Sequence, residues 1–594
     1  MLLAFPFFFL LFCSARSLLT DYKMYHWQSF WTRLALIAVA GLILAWRIRR
    51  LGRVQGTTSR LRFTLCLLFA CFLFFPLFSQ PSFLGSSLSK VSASLWQATP
   101  AGTSKLLHSI RQFPTTYEQY LTRNLCLPKV LIHLNAMIKV HLLGFSPNNN
   151  VAIGANGFYY EGMGANRVEG ELVETFDNIA DYMGQIPFSE YELLQWKIAL
   201  EQRRYWLQSI GSEYVFVLAP TKAFVYPEYL PKRIQQVRGH TRYEQLSQYL
   251  QQYADIHFVD VLPPLLAAKA EKSYPLLFYK TDFHWNFYGA FIAYKAIVDH
   301  LARLYPDAKI VSPSLDDFTM KINPTWAHPR FLDMVGLPVN LHRNEHHITM
   351  VPKPGGPYDT AKDLPAAGIY DMYPKAKPLS VKDKKSPNVR LLRNPEAPLP
   401  SIVLLGDSFM EKCYLFFSAN AKRVLNYRTV VNFPKEIFHY ENPTLVIQEI
   451  LNMYILRPPP DNPDQITIEY YRHKFDKHPD KVLFKESLTT AQAGQEPLEA
   501  LRFNLTPLPA RKQGELRVAK LTLQGTGQDE VTLSFSGASS TAQAPQSFRT
   551  AGGDSSCYLI LPTEGADSLR LQSASGQLAQ LVTVSLEVRS DARQ

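Results

Sequence analysis

SIVLLGDSF, residues 401–409, decides the fold class. Ile402 to Leu405 follow one another without a polar residue, the pattern of a strand covered on both faces. Gly406 allows a tight bend, and Asp407-Ser408-Phe409 then opens a helix. A serine delivered by such a turn lies beside the free N–H groups of a helix start, which can stabilise an oxyanion. The same tripeptide also serves as a purely structural turn, and a serine hydroxyl needs a base before it attacks anything at neutral pH.

Working outward, Tyr214–Ala219 (YVFVLA), Ile256–Val261, Leu276–Tyr279 and Leu445–Ile450 read as further short buried strands. Helical segments separate them. Ser189 and Glu192 form a capping box for a helix that runs to about Ser209, where Gly211 closes it. Arg242–Ala254 is a second helix. A third, capped by Asn286, buries Ala290, Ala293, Ile297, Leu301 and Leu304 on one face. VAIGANGFYY (151–160) reads as strand, turn, strand. The alternation predicts an α/β domain over 151–460 with a mostly parallel sheet and helices on both faces. Within it, 306–400 is expected to be an insertion with little regular structure. RPPPDNPD (457–464) marks the exit, and 500–594, with short strands between Gly, Ser and Asp turns, is expected to be an all-β, sandwich-like unit.

Asp282-Phe283-His284 can supply the base. Two residues apart on extended chain, the carboxylate and imidazole project to the same side. One can orient the other while the free ring nitrogen faces a hydroxyl. A polar loop with a surface Asp and a half-buried His is the plain alternative. Both the Asp-x-His and Gly-Asp-Ser motifs follow buried strands, and in a parallel sheet the strand C-terminal ends share the edge where ligands bind.

TDFHW (281–285) before a helix, with GDSF (406–409) later, resembles the alginate O-acetyltransferase family of SGNH hydrolase-like proteins, in which Asp-x-His precedes the serine. GANGFYYEG (154–162), VLAPTKAFVYPEYLP (217–231) and NPTLVIQEILNMY (442–454) are similar to further segments of that family, so the resemblance spans about 150–456. It implies that Ser408 is the nucleophile that carries an acetyl group, that His284 is base and then acid, and that Asp282 orients His284. It also makes Lys222, Tyr414 and Arg428 substrate or oxyanion contacts to consider. A core position reads equally well for Tyr414, and a solvated surface role for Arg423 and Arg428. No cofactor is implied. The acetyl group would come from a membrane-bound O-acyltransferase partner, and the acceptor would be an exported, alginate-like or other polysaccharide. An O-acetylesterase using water as acceptor, or a non-catalytic scaffold of an export complex, would look the same up to the acyl-enzyme.

The formal charge of +12 resembles a nucleic-acid signal but is concentrated elsewhere. Residues 1–62 hold nine Lys or Arg against one Asp, which leaves +4 for the other 532 residues. Six of those Arg lie between two apolar runs, Phe30–Trp46 and Phe63–Phe78. Runs of this length are at the short end for spanning helices, and a short Arg-rich loop stays cytoplasmic. Residues 1–80 are therefore expected to be a helical-hairpin anchor in a bacterial inner membrane. Residues 81–150 would be a linker and the α/β domain would be periplasmic. A cleaved signal peptide made of the second run is the alternative. No cysteine spacing suggests a metal site, and Glu345-His346-His347 is not a ligand pair, because adjacent histidines on a strand face opposite ways.

Overall fold

The computed structural model describes residues 126–592, except 169–170, 272–274, 324–328, 339–344, 346, 359–361, 364–388, 457, 460–463, 490–499, 526–529, 538–545, 550–552, 563–564 and 574–580. The two expected spans, at 30–46 and 63–78, lie outside the described residues. Among the described ones, no helix is long and apolar enough to cross a membrane. Met1–Leu143 and Gly144–Gln594 are separate units. The described part of the first is a helix over Cys126–Met137 that ends in a π turn, Ile138–Leu142.

A seven-stranded sheet organises the second unit. Its strands are β1 (Glu213–Ala219), β2 (His257–Asp260), β3 (Lys362–Asp363), β4 (Val389–Arg393), β5 (Leu399–Gly406), β6 (Ala421–Arg428) and β7 (Leu445–Leu451), in the order β2-β1-β7-β5-β6-β4-β3. The first five in that order are mutually parallel, and β4 and β3 add an antiparallel edge. Side-chain alternation splits β1 between two cores. Val215, Val217 and Ala219 face one with Ile402, Leu404 and Ile447, and Tyr214, Phe216 and Leu218 face the other with Val403, Leu405 and Val446. Helix α1 (Glu190–Ser209) and α2 (Arg242–Tyr253) cover the second face through Leu200, Leu207, Leu246 and Leu250. Helix α3 (Phe287–Leu304) covers the first through Ala290, Ala293, Ile297 and Leu301. Capping boxes at Ser189 and Thr241 start α1 and α2.

Two expectations for the α/β domain change. Leu276–Tyr279 is not a sheet strand. Among the described residues its ladder contact is the isolated bridge Phe278–Trp285, and Leu277 O and Tyr279 N–H bond to Asn286 N–H and His284 O in the loop that follows. The run is buried because it folds back on itself against the core. Nor is 306–400 irregular throughout. Phe318–Asn323 and His347–Pro352 form an antiparallel pair, Arg330–Val335 is helical with Gly336 at φ 73° as its left-handed stop, and β3 and β4 extend the main sheet.

Helix α4 (Ser408–Cys413) follows β5, and α5 (Asp464–Lys477) leads out of the α/β body. The β unit begins at Val482 rather than near 500, because β8 (Val482–Thr489) pairs with the last strand. β9 (Ala500–Asn504), β10 (Arg517–Gly525), β11 (Glu530–Ser536), β12 (Gln546–Arg549), β13 (Gly553–Ile560), β14 (Ser568–Ser573) and β15 (Leu581–Ser590) complete two four-stranded sheets, β8-β15-β10-β13 and β9-β14-β11-β12. Leu521, Leu523, Leu533, Leu571, Val584 and Leu586 fill the space between them. Buried ion pairs fasten this unit and α5 to α1. Lys197 Nζ lies 2.8 Å from Asp591 and donates to Gly514 O at 2.9 Å, and Lys474 Nζ lies 2.6 Å from Glu201.

Candidate active site

Strand β5 ends at Gly406 for a steric reason. A Cβ there would sit 2.5 Å from Met410 Cβ and 2.9 Å from Glu449 Oε2. Asp407 then caps α4, its Oδ1 accepting the Phe409 N–H at 2.7 Å. Ser408 becomes the first helical residue, partly open at the C-terminal edge of the parallel strands.

The loop before α3 brings the second block to the same edge. Asp282 Oδ1 accepts the His284 backbone N–H at 2.9 Å and lies 2.6 Å from Nδ1. His284 Nε2 lies 2.6 Å from Ser408 Oγ. Asp282, His284 and Ser408 therefore form one hydrogen-bonded chain across 126 residues of sequence. A carboxylate can only accept, so Nδ1 carries the ring proton and Nε2 presents its lone pair to the hydroxyl. Burial pushes the Asp282 carboxyl up, but the hydrogen bond and charge of His284 outweigh it and hold the group below the usual carboxylate range. Burial lowers the His284 imidazole below its ordinary value against the pull of Asp282, and Lys412 and Arg330 act in the same direction. The ionised Asp and neutral His needed for proton abstraction are thus the favoured forms near neutral pH.

Aromatic rings fix the imidazole. Phe283 stacks on it with centroids 3.9 Å apart, and Phe409 lies 5.4 Å away. Trp285 Nε1–H donates to Phe409 O at 3.2 Å, which ties the two motifs together directly. Cys413 Sγ donates to Ala290 O at 3.4 Å and links α4 to α3.

The other residues singled out in the sequence lie as follows. Tyr414 is fully buried in the core, with the Arg390 guanidinium 4.3 Å from its ring centre, so it presents no surface to a ligand. Arg428 is half-buried and 3.4 Å from Glu411. Arg423 pairs with Glu441, Nε to Oε2 at 2.6 Å, on the sheet rather than at its active edge. Lys222 has no exposed surface, and its ammonium donates to three backbone carbonyls, those of Tyr279 (2.7 Å), Lys280 (2.9 Å) and Asp282 (2.8 Å). With three donors engaged it has none left for substrate. His346 lies outside the described residues, and Glu345 caps the 280–281 backbone, accepting the N–H groups of Lys280 and Thr281 and the Thr281 hydroxyl.

Sequence reasoning missed the aromatic slot around His284 and two buried acids. Glu161 and Glu449 lie within fully buried strands, YYE and LVIQEIL, and a carboxyl in such a run is the signal that marks them. Glu449 Oε2 approaches the Asp407 N–H at 3.4 Å, directly behind the serine turn. Burial raises Glu449 well above its ordinary value and the neighbouring Asp407 adds to it, while burial raises Asp407 to about 6.

Residues 192–326 match the family model for the SGNH hydrolase-like domain described as acetyltransferase AlgX, a stretch that includes Asp282 and His284 but stops short of Ser408. A probable alginate O-acetylase, AlgJ, of Pseudomonas putida is 34% identical over 113 residues, which are 19% of this chain and 28% of that protein. The chain therefore spans little more than a quarter of that relative. Solved structures that resemble it include PatB1 of Bacillus cereus (16% identity, TM-score 0.34, covering 52% of this chain and 94% of that one). The O-acetyltransferase domain of Pseudomonas putida AlgJ (18%, 0.32, 53% and 94%) and Pseudomonas aeruginosa AlgX (14%, 0.30, 74% and 94%) are two more. In its matched segment and its motifs, the chain is similar to the alginate O-acetyltransferase-like family of SGNH hydrolase-like proteins.

Proposed function

We propose that this protein transfers an acetyl group through a Ser408 acyl-enzyme to hydroxyls of an exported polysaccharide. The observation that carries the proposal is the unbroken chain Asp282–His284–Ser408, with 2.6 Å at each side-chain step. Ser408 Oγ attacks the acetyl carbonyl while His284 Nε2 takes its proton. The donor's leaving group departs with that proton, and Ser408 holds the acetyl ester. A sugar hydroxyl then gives its proton to His284 and attacks the ester carbonyl, and Ser408 Oγ leaves with the proton. The Ser408 N–H, first in α4 and without a preceding intrahelical acceptor, is placed to stabilise the oxyanion of both steps.

The proposal calls for no cofactor. Its acetyl group comes from a membrane-bound O-acyltransferase partner, and the basic, apolar N-terminal segment holds the enzyme at the inner membrane with Ser408 on the periplasmic side. The match of residues 192–326 to an acetyltransferase domain model supports acetyl chemistry, and the partial likeness to a probable alginate O-acetylase supports a polysaccharide acceptor. The β unit, fixed to α1 through Lys197, serves in this reading as a sugar-binding or docking module. The test is acetyl transfer from a chromogenic ester, with and without oligosaccharides. Acetylated sugar supports transfer, whereas fast hydrolysis that never acetylates the sugar makes the protein an esterase.

A further inference from the structure

Among the described residues, the loop that carries Asp282 has no sheet ladder to hold it, since Leu276–Tyr279 is outside the main sheet. Its backbone carbonyls at 279, 280 and 282 nevertheless point to one spot, and a single ammonium fills it. Three carbonyls converging at 2.7–2.9 Å leave no room for independent movement of the loop. On the far side, Glu345 takes the N–H groups of residues 280 and 281. The loop is thus clamped by a cation on its carbonyl face and an anion on its amide face, and Asp282 sits at its end.

We propose that Lys222 is a positioning residue for the proton relay: its buried ammonium fixes the 279–282 backbone so that Asp282 holds His284 against Ser408. The proposal rests on the acyl-enzyme reading above and adds to it a residue that touches neither substrate nor the reacting atoms. The rings of Phe331, Tyr160 and Phe158 surround Lys222 Nζ at 5.1, 5.4 and 5.9 Å and exclude water from it. Burial lowers the Lys222 ammonium to about 8, and the negative charge of Glu161, Glu345 and Asp282 opposes that loss, so the group stays charged at neutral pH. The surplus of carboxylates over cations is relieved at Glu161, which burial pushes up to about 7 against the attraction of Lys222.

The charge also acts on the relay itself, because Lys222 is among the groups that keep Asp282 ionised. Removing a cation makes any nearby proton more welcome. The Asp282–His284 pair should therefore protonate at higher pH when Lys222 is neutralised, and the acid limb of acylation should move up. A residue that only held the fold together would lower the rate without moving that limb.

The experiment compares wild type with Lys222→Met and Lys222→Gln, reading the pH profile of serine acylation by an activated acetyl ester alongside thermal unfolding. Gln is included because its amide can still donate to two of the carbonyls while carrying no charge, so it serves if Met fails to fold. The expected result is a loss of kcat of about 10- to 100-fold at pH 7 with KM little changed, as for slight misplacement of a catalytic group. An acid limb displaced to higher pH in the folded variants is expected with it. Wild-type rates, or a loss that merely follows the folded fraction with the limb unmoved, would overturn the proposal. A wild-type protein that never acylates Ser408 would instead overturn the proposed function.

Discussion

Replacing Glu449 by glutamine should make the protein more stable at neutral pH, although it removes an acid beside the serine turn. Glu449 is 1% exposed in the middle of β7, and Asp407, 5% exposed, faces it. Neither Asp407 Oδ2 nor Glu449 Oε1 has a donor among the described residues, so the pair is tolerable only while it retains a proton. Facing charges are few. Arg428 lowers the Asp407 pKa and Glu411 raises it, and half-buried Lys412 lies on the helix that Asp407 caps. A carboxyl whose folded pKa lies above its unfolded value binds more protons when folded. Its stabilising contribution is therefore complete below the unfolded value, near 4.5 for Glu449, and is lost as pH climbs toward the folded one. Each pH unit in that window corresponds to about 1.4 kcal/mol per group. Above pH 5 the wild type should thus lose stability through this group, by at most about 1.4 kcal/mol per pH unit. The glutamine amide is neutral at every pH, keeps an oxygen for the Asp407 N–H, and donates to Asp407 without needing a proton. Urea unfolding at pH 5, 7 and 8 should show Glu449→Gln close to wild type at pH 5 and progressively more stable above it. Glu449→Leu, which leaves the Asp407 N–H and Oδ2 buried and unpaired, should lose about 1–3 kcal/mol throughout. A glutamine variant less stable than wild type at pH 7, or offset by the same amount at every pH, would refute the reasoning.

Asp282→Asn should leave the fold intact and lower acylation by about three to four orders of magnitude, because the ring is then held in the wrong tautomer; stopped-flow acylation beside a circular dichroism spectrum checks it. Wild-type acylation should keep its rate at pH values below 6.5, the ordinary histidine value, because burial, Lys412 and Arg330 keep His284 neutral there; a limb centred at or above that value would contradict the electrostatics. Lys197→Met should destabilise the chain by about 3 kcal/mol, the lower end for a broken buried pair, since Lys474 still lies 3.7 Å from Asp591; chemical denaturation measures it.

Local chemistry explains which parts of this protein are legible in its sequence. The strand at 401–405, the serine turn and the Asn286 cap are set by residues within a few positions of one another, so pattern reading reaches them. Asp282 and His284 share a two-residue spacing and are equally visible. Pairing partners are not local. The Leu276–Tyr279 run has the composition of a strand, and only the contact of Phe278 with Trp285 shows that it closes a loop instead. β8 was missed because its partner, β15, lies about 100 residues downstream. β4 was hidden in a Pro-rich stretch whose antiparallel neighbour, β6, follows the serine turn. Lys222 carried no readable role for a similar reason: its three acceptors are backbone atoms nearly 60 residues away, and backbone atoms leave no trace in a side-chain pattern.

The central claim is that Ser408 carries the acyl group. The most direct measurement is intact and peptide mass spectrometry of the protein quenched during turnover of an activated acetyl ester, for wild type, Ser408→Ala and His284→Ala. The account predicts one added acetyl group on the wild type, located on the peptide containing Ser408, and none in either variant. An acetyl group on another residue at the same rate, or turnover by Ser408→Ala comparable to wild type, would contradict it.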